Sequence, residues 1–327
     1  MERGMRVVRV MGFGGPELLV PGEAPDPVAG PDQVVVDVSV ASMTFVETQI
    51  RRGVDRWHER PQLPYVPGGL VAGLVIMTGE RVDPAWLGRR VVADTGETGG
   101  FAERAVATTE DLFPVPDGLD LPEAAALYSD GSTAQGLVER AGITTGDRVL
   151  VEAAAGGVGT LLVQLCLAAG AQVIGAARGP RKLDVVREIG ADAAIDYAET
   201  GWTERVLEAT GGTGPSVVFD GVGGQIGRAA FEATARGGRF SVHGASSGEV
   251  TSIGVAEARA RGVQLIGIEQ LFDFRPHLQR WATQIMSRAA TGSIRPVIGQ
   301  TFPLDRAADA HNVVENRIAL GKTLLLI

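Results

Sequence analysis

Residues 148–178 read RVLVEAAAGGVGTLLVQLCLAAGAQVIGAAR, and this stretch decides the fold of the chain. Its apolar, β-branched start, Arg148 to Ala153, predicts a strand. The small residues AAGGVG at 154–159 predict a tight turn, and the apolar residues through Ala169 predict a helix, with a second strand at 172–177. A strand, a glycine-rich turn, a helix and a strand in immediate succession are typical of a unit that binds a dinucleotide.

The turn is an A-x-G-x-x-G variant of the Rossmann fingerprint. Gly156 would let the backbone approach a pyrophosphate, and Gly159 would let the helix pack closely on the strand. The helix N-terminus adds unpaired N–H groups and positive potential. Ala154 stands where the pattern usually has glycine and is small enough to keep the turn. We therefore predict cofactor contacts from Ala155, Gly156, Gly157, Val158 and Gly159.

The residues after the second strand indicate which dinucleotide is bound. A site for NAD usually ends this strand with Asp or Glu, whose carboxylate holds the ribose 2′-hydroxyl. Here Arg178 follows the strand, and Lys182 comes shortly after. Guanidinium and ammonium groups bind a 2′-phosphate, which a carboxylate would repel. We predict NADPH as the cofactor, with Arg178 and Lys182 on its phosphate; the alternative is that both are ordinary surface cations.

Further strands follow at the spacing of an α/β fold. They are predicted at residues 193–196, 216–220, 239–243 and 263–268. With the first two they make a doubly wound, parallel, six-stranded sheet, a Rossmann domain that we assign to residues 125–268. Because ligands bind at the carboxyl ends of such strands, we also predict cofactor contacts from Gly221, Val222, Gly244, Ala245 and Ser246.

The rest of the chain has a different sequence pattern. Up to residue 124, short β-branched runs separated by Gly, Pro and Asp turns predict a compact β-rich domain with few helices. Residues 121–141 predict two helical segments. The tail predicts a helix at 274–290, a strand at 297–302, a helix at 304–315 and a strand at 322–327. We expect this tail to complete the first domain, which would then comprise residues 1–124 and 269–327.

Composition excludes several classes of protein. The 327 residues are 45% hydrophobic and 21% charged with a net charge of −9, which indicates a globular protein without a basic surface for nucleic acid. The longest apolar run, 161–169, is too short to span a membrane, and the N-terminus does not have the pattern of a signal peptide. We expect a cytoplasmic protein. Cys166, the only cysteine, is predicted to be a buried apolar residue.

Several segments together resemble one known family. They are RVVRVMGFGGPELL (6–19), SMTFVETQIRRG (42–53), LPYVPGGLVAG (63–73), PDGLDLPEAAAL (116–127), the turn at 154–159, GADAAIDY (190–197), FDGVGG (219–224), FSVHGASSG (240–248) and TFPLDRAADAHNVVENRIALGK (301–322). The chain resembles the zinc-independent quinone oxidoreductases, the zeta-crystallin-like group of the medium-chain dehydrogenase/reductase superfamily. The resemblance implies a GroES-like catalytic domain, a Rossmann domain, NADPH and a homodimer, and it places Tyr197 near the adenosine phosphate.

The resemblance also bears on zinc. Alcohol dehydrogenases of the superfamily hold a catalytic zinc with a Cys in the segment matching 42–47 and a His-Glu pair after the next Pro-Gly. This chain has Thr44 in the first segment and Gly69-Leu70 in the second. Its four histidines, His58, His243, His277 and His311, are scattered singly and are read as surface or packing residues. No metal is expected.

Without a Lewis acid to polarise them, simple alcohols and ketones are poor substrates. Hydride addition to a quinone or conjugated enone leaves a delocalised anion, so this reaction needs mainly orientation of the substrate over the nicotinamide and hydrogen-bond donors. Where the family's first signature usually has Asn and Asp, this chain has Thr44 and Glu47, which still offer a hydroxyl and a carboxylate near the nicotinamide, and Thr133 matches a family threonine there. The sequence adds the local candidates Tyr128 and Asp130, with core packing and capping as their alternatives. Tyrosines of the family pattern are missing at Gln49 and Asp55, and Asp55 is read as a solvated loop charge.

The leading hypothesis is therefore an NADPH-dependent reductase of a small quinone or other α,β-unsaturated carbonyl. One alternative is an enoyl thioester or polyketide-type enoyl reductase, although related enzymes use a Tyr of the first signature that this chain lacks. The other is a protein that binds NADPH without catalysis, since a fold alone does not determine function.

Overall fold

A computed structural model describes residues 4–327. Residues 1–3, which belong to the N-terminal stretch without a signal-peptide pattern, lie outside the described residues. The strands are β1 (Met5–Val10), β2 (Leu19–Ala24), β3 (Gln33–Met43), β4 (Leu70–Thr78), β5 (Arg90–Asp94), β6 (Arg104–Thr108), β7 (Leu112–Pro114), β8 (Arg148–Glu152), β9 (Gln172–Ala177), β10 (Ala193–Asp196), β11 (Val217–Asp220), β12 (Arg239–Val242), β13 (Gln264–Ile266), β14 (Ile298–Pro303) and β15 (Lys322–Leu326). The α-helices are α1 (Phe45–Arg52), α2 (Leu121–Ala141), α3 (Gly157–Ala168), α4 (Pro180–Glu188), α5 (Trp202–Ala209), α6 (Gly224–Ala233), α7 (Val255–Arg261), α8 (Leu278–Ala290) and α9 (Ala307–Glu315).

The chain divides into two compact units. The first contains the residues up to Tyr128 together with Met286–Ser293 and Val297–Ile327, and the second contains Ser129–Ile285 and Ile294–Pro296. One boundary falls inside α2 and another inside α8. The functional boundaries proposed from the sequence, after residues 124 and 268, stay a prediction.

The second unit is built on a six-stranded sheet in the order β10-β9-β8-β11-β12-β13, in which every neighbouring pair is parallel. The order reverses at β8, as in a doubly wound sheet. The strands are continuous apolar runs because helices cover both faces of such a sheet. The predicted six-stranded Rossmann sheet is confirmed, and the carboxyl ends of its strands lie along one edge.

The first unit is β-rich, as expected. Its larger sheet has the order β14-β15-β3-β4-β5-β7, and β6 also pairs with β3. The eleven-residue β3 is its centre, with β4 on one side and both β6 and β15 on the other. The tail thus adds its last strand directly to the N-terminal part of the chain. The pair β14–β15 is parallel, and β1 and β2 form a separate antiparallel pair.

The first part of the chain has few helices, as predicted: among residues 4–120 the one α-helix is α1, eight residues long with Thr44 as its N-cap. One helix prediction was wrong. The region 121–141, predicted as two segments, is the single helix α2 of 21 residues. Gly131 and Gly136 do not break it, because both are sites of close packing: an added Cβ would lie 2.6 Å from Ile285 Cγ2 and 2.7 Å from the Trp281 ring.

The tail follows its predicted order with a different start. Short 3-10 helices at Ile268–Asp273 and Arg275–His277 precede α8, and another at Leu304–Arg306 precedes α9. No helix within residues 4–327 has both the length and the apolar character needed to cross a bilayer.

Candidate active site

The glycine-rich turn connects β8 to α3 in the second unit. Ala153 adopts a positive φ of 48°, and Gly156 is the N-cap of α3 and donates its N–H to the Ala153 carbonyl at 2.8 Å. A Cβ at Gly159 would lie 2.3 Å from that same carbonyl oxygen and 2.8 Å from Ala154 Cα. Glycine at 159 is therefore required for α3 to approach β8, and the first N–H groups of α3 lack carbonyl partners within the helix.

The other predicted cofactor residues follow neighbouring strands at the same edge. Arg178 follows β9, Tyr197 follows β10, and the loops at 221–224 and 244–247 follow β11 and β12. Because all these strands run parallel, their ends meet at one side of the sheet. The structure therefore brings the cofactor residues predicted from the sequence to one edge of the second unit.

Arg178 is exposed, and no ion pair in the described part of the chain involves it. Lys182 lies half-buried in the first turn of α4, and Tyr197 packs partly buried against the apolar core of this unit. Sequence reasoning missed Asp196. Its carboxylate accepts hydrogen bonds from the N–H groups of Gly179 and Ala198, both at 2.8 Å, and so ties the end of β9 to the end of β10.

The two loops after β11 and β12 are bound to each other. The Ser247 N–H donates to the Val222 carbonyl at 2.8 Å, and the Ser246 N–H to the Gly221 carbonyl at 3.4 Å. A Cβ at Gly244 would lie 2.7 Å from the Gly221 oxygen, so this contact needs glycine. Val222 is buried, and its N–H donates a hydrogen bond to the Asp220 carboxylate at 3.0 Å. Val222 therefore helps to fix the conformation of the loop.

A buried polar group below these loops was not foreseen. Glu152 ends β8 and Asp220 ends β11, and both are 0% exposed. His243, which was read as a surface or packing residue, follows β12 partly buried, and burial lowers its pKa to about 4 against the opposing charge of Asp220. The signal in the sequence was an acidic residue at the end of an apolar strand, directly before the glycine turn.

In the first unit, Thr44 and Glu47 are joined as the capping box of α1. The Glu47 carboxylate accepts the Thr44 N–H at 2.6 Å, the Thr44 hydroxyl at 3.2 Å and the Gly69 N–H at 3.2 Å. Burial raises the pKa of Glu47, although these hydrogen bonds and the nearby Lys322 ammonium act in the opposite direction. The spacing T-x-x-E could have revealed both the helix and this contact.

Gly69 cannot carry a side chain in this arrangement. An added Cβ would lie 2.3 Å from the Gly96 carbonyl oxygen. Tyr65 is a buried residue that the sequence analysis did not single out; burial and then the charge of Glu47 raise its pKa to about 12.

The remaining catalytic candidates lie on α2. Tyr128 belongs to the first unit, where it packs against Phe113 with ring centroids 5.7 Å apart. Burial, with Asp94 and Asp111, raises the pKa of Tyr128 to about 12, so it is a weaker acid than an ordinary tyrosine. This environment favours its alternative reading as a core residue.

Asp130 and Thr133 belong to the second unit and lie one helical turn apart, Asp130 buried and Thr133 half-buried. Their separation along α2 puts them on the same side of the helix.

The predictions for Asp55 and Cys166 have different outcomes. Asp55 is not a solvated charge, because its side chain is 7% exposed and accepts the N–H groups of Trp57 and His58 at 2.9 and 2.7 Å. Cys166 is buried, and burial raises its pKa to about 12. Within residues 4–327, no group of three His, Cys, Asp or Glu side chains is arranged to hold a metal ion.

Comparison with known proteins gives a consistent result. The model of the alcohol dehydrogenase GroES-like domain matches residues 30–117, and that of the zinc-binding dehydrogenase domain matches residues 157–280. Human quinone oxidoreductase is 30% identical over an alignment that covers 100% of this chain and 99% of the human protein.

Two solved structures are similar over nearly the whole chain. A mycobacterial protein in complex with NADPH has a TM-score of 0.90 and 31% identity, covering 99% of this chain and 100% of that one. The quinone oxidoreductase of Escherichia coli, also in complex with NADPH, has a TM-score of 0.90 and 28% identity, covering 98% of this chain and 100% of that one.

The first unit is thus a GroES-like β-rich domain, and the second is a Rossmann domain. From its full-length similarity to human quinone oxidoreductase, the chain belongs to the quinone oxidoreductase group of the medium-chain dehydrogenase/reductase superfamily, a family of oxidoreductases.

Proposed function

We propose that this protein is an NADPH-dependent oxidoreductase that transfers hydride to a quinone or another α,β-unsaturated carbonyl without a metal. The observation that carries the proposal is the exposed Arg178, which has no ion-pair partner among the described residues and stands where an NAD site has a carboxylate. Two relatives of this fold were solved with NADPH.

The residues at the carboxyl edge of the second unit fit NADPH. The N-terminus of α3 would face the pyrophosphate, since its N–H groups and the close approach allowed by Gly156 suit an anion. Arg178 and Lys182 would hold the 2′-phosphate, and Tyr197 would lie near the adenosine. The loops at 221–224 and 244–247 would support the nicotinamide half. When bound, NADPH supplies the hydride.

The first unit supports chemistry without zinc. Thr44 offers a hydroxyl where metal-dependent members of the superfamily have a thiolate, and a side chain at Gly69 would collide with the Gly96 carbonyl. A hydroxyl is a poor zinc ligand, but it is a good hydrogen-bond donor to an oxygen that gains negative charge.

Thr44 is the best-supported donor. Its backbone position is fixed by Glu47, and the same carboxylate lies 3.2 Å from its hydroxyl. Glu47 is in turn held by Gly69. We assign Thr44 the role of a donor to the acceptor oxygen, to which its hydroxyl would turn from Glu47 when substrate binds, and Glu47 that of fixing the Thr44 backbone. Thr133, Asp130 and Tyr128 stay further candidates, of which Tyr128 is the weakest because of its packing and raised pKa.

The test is the loss of NADPH absorbance in the presence of quinones, conjugated enals and enoyl thioesters. Faster turnover of quinones or enals than of enoyl thioesters is the expected result. A strong preference for a pantetheine-linked enoyl substrate would contradict the proposal and indicate an enoyl reductase. Binding of NADPH without turnover of any substrate would indicate a non-catalytic NADPH-binding protein. A homodimer and a cytoplasmic location stay predictions from family resemblance and composition.

A further inference from the structure

Two carboxyl groups meet beneath the loops to which we assign the nicotinamide half. Glu152 at the end of β8 and Asp220 at the end of β11 are both fully buried. β8 and β11 are neighbouring parallel strands at the centre of the sheet, with Val151 beside Phe219, so the register brings their last residues together.

The partners of the two carboxyls differ. Asp220 accepts the N–H groups of Val222 and Gly223 at 3.0 and 2.7 Å through one oxygen, and the Thr251 hydroxyl through the other. It therefore holds the turn after β11 and ties it to the segment around residue 251. Neither oxygen of Glu152 has a hydrogen-bond partner as an ionised group.

No cation compensates this pair. None of the ion pairs in the described chain includes Glu152 or Asp220. The titratable group on the next strand is His243, whose lowered pKa leaves it neutral at pH 7. Two adjacent buried carboxylates without a cation are strongly unfavourable, and a proton held between them removes one charge and adds a hydrogen bond.

We propose that Glu152 remains protonated at neutral pH and donates a hydrogen bond from its carboxyl O–H to Asp220. This hydrogen bond positions the loop at 221–223 under the bound coenzyme. Glu152 is a positioning residue, because it acts through Asp220 and the loop. The inference rests on the proposed function for the role of the loop, whereas the shared proton is a property of the protein alone.

The electrostatic environment agrees with this arrangement. Burial raises the pKa of Glu152 well above its usual value, and the charge and hydrogen bond of Asp220 raise it further, while the Val222 N–H acts in the opposite direction. The groups that face the pair are His243 from the end of β12 and the Thr251 hydroxyl. None of them supplies positive charge at neutral pH.

The direction of the pH dependence follows from linkage. In the unfolded chain Glu152 loses its proton at its ordinary pKa, and in the folded protein it does so only at the raised pKa. Its contribution to the free energy of unfolding therefore falls as pH rises from the first value to the second. Above the raised pKa the two carboxylates repel each other, and the loop loses its fixed position.

The shared proton is tested first on the wild-type protein without coenzyme. Its infrared spectrum at neutral pH is expected to contain the C=O absorption of a buried protonated carboxylic acid, which shifts on ¹³C-labelling of glutamate and loses one band in Glu152→Gln. The other buried glutamate with a raised pKa, Glu47, is distinguished by Glu47→Gln, which should keep that band. A wild-type spectrum without such absorption, or the same bands in wild type and Glu152→Gln, would overturn the proposal. The wild-type measurement does not depend on the folding of a variant.

The positioning role is tested by NADPH titration across pH. Wild-type affinity is expected to weaken about fivefold as pH rises through the raised pKa, the effect of roughly one hydrogen bond, whereas Glu152→Gln keeps a neutral donor and stays constant. Glu208→Gln, at an exposed site on α5, should follow the wild type. Parallel profiles for wild type and Glu152→Gln would overturn the positioning role. If the wild type binds no NADPH at any pH, the proposed function fails, and the infrared band still decides the shared proton.

Discussion

The proposed preference for NADPH over NADH rests on Arg178. If its guanidinium binds the 2′-phosphate, Arg178→Ala should weaken NADPH binding by about 1.5–3 kcal/mol, or about 10- to 150-fold, because a hydrogen bond to a charged group is lost. NADH, which has no 2′-phosphate, should be nearly unaffected. Fluorescence titration with both coenzymes measures the difference.

The matched control for this prediction is Arg187→Ala. Arg187 is exposed on the last turn of the adjoining helix α4 and pairs with Asp184 at 2.7 Å. Its removal should leave NADPH affinity unchanged. Equal NADPH affinities of Arg178→Ala and Arg187→Ala would show that Arg178 does not bind the 2′-phosphate.

The buried imidazole of His311 is expected to make the free energy of unfolding of the first unit depend on pH. It is fully buried, it accepts the Arg51 Nε–H through Nδ1 at 3.3 Å, and burial and Arg51 lower its pKa to about 3. The unfolded chain binds a proton below its ordinary pKa of 6.5, and the folded protein does not. Stability should therefore fall as pH decreases from about 6.5 towards 3, by up to about 2 kcal/mol at pH 5.

Replacement of this imidazole by an amide acceptor isolates its effect. Denaturant unfolding of His311→Gln should show a smaller loss of stability between pH 7 and pH 5 than the wild type. His277→Gln, at an exposed site, should follow the wild type. The same pH dependence in both variants would contradict the prediction.

At this scale the sequence predicted the glycines of the turn and the position of Arg178 after β9, but it did not reveal the buried ionisable groups. Gly159 follows from the steric requirements of one turn, and Arg178 from its place after a strand. Glu152 becomes unusual only when β11 is placed beside β8, because its partner Asp220 is far away in the chain. Contacts of that kind are set by the sheet order, which one strand does not reveal.

The helix α2 contains two glycines that packing explains. On intrinsic propensity, Gly131→Ala should stabilise a helix by about 1 kcal/mol. Instead we expect a loss of stability, because the new methyl would lie 2.6 Å from Ile285 Cγ2 on α8. Denaturant unfolding measures the sign directly.

A second substitution tests this explanation. Ile285→Ala removes the Cγ2 methyl that the added Cβ would meet, and combined with Gly131→Ala it should recover part of the loss, so that the double variant is more stable than the sum of the two single changes predicts. Additive effects would show that the two residues do not interact.

Among the elements, buried parallel strands were the easiest to predict. Runs such as Gln172–Ala177 are apolar on both faces, so their bounds follow from composition. The helix α1 was harder, because it is short and carries two arginines, one of which, Arg51, is fully buried. Its T-x-x-E start was interpreted as a pair of catalytic residues, Thr44 and Glu47, and the capping box that they form was overlooked. A capping role and a catalytic role are compatible for these two residues.

At the scale of the whole molecule, the last strand belongs to a sheet built from the beginning of the chain. β15 lies between β14 and β3, and Leu325 is 0% exposed in the core of the first unit, whereas Leu326 is 43% exposed. Leu325→Ala should lower the free energy of unfolding by about 2–5 kcal/mol, while Leu326→Ala should cost less than about 1 kcal/mol.

Chemical denaturation of the two variants is the measurement, and their adjacent positions make each the control of the other. Equal losses would mean that β15 does not have its described face in the core. The sequence predicted that the tail returns to the first part of the chain, but the pairing of β15 with β3 could not be derived, because nothing in a single strand specifies which distant strand it joins.

The close approach of Gly69 to Gly96 also limits protein engineering. A designer who wished to graft an imidazole for zinc at this position would find the place of its first carbon atom taken by a carbonyl oxygen 2.3 Å away. The turn at residues 95–97 would have to be rebuilt before any histidine could enter. For the same reason, a single codon change at this position would not give a lineage of such proteins a metal ligand.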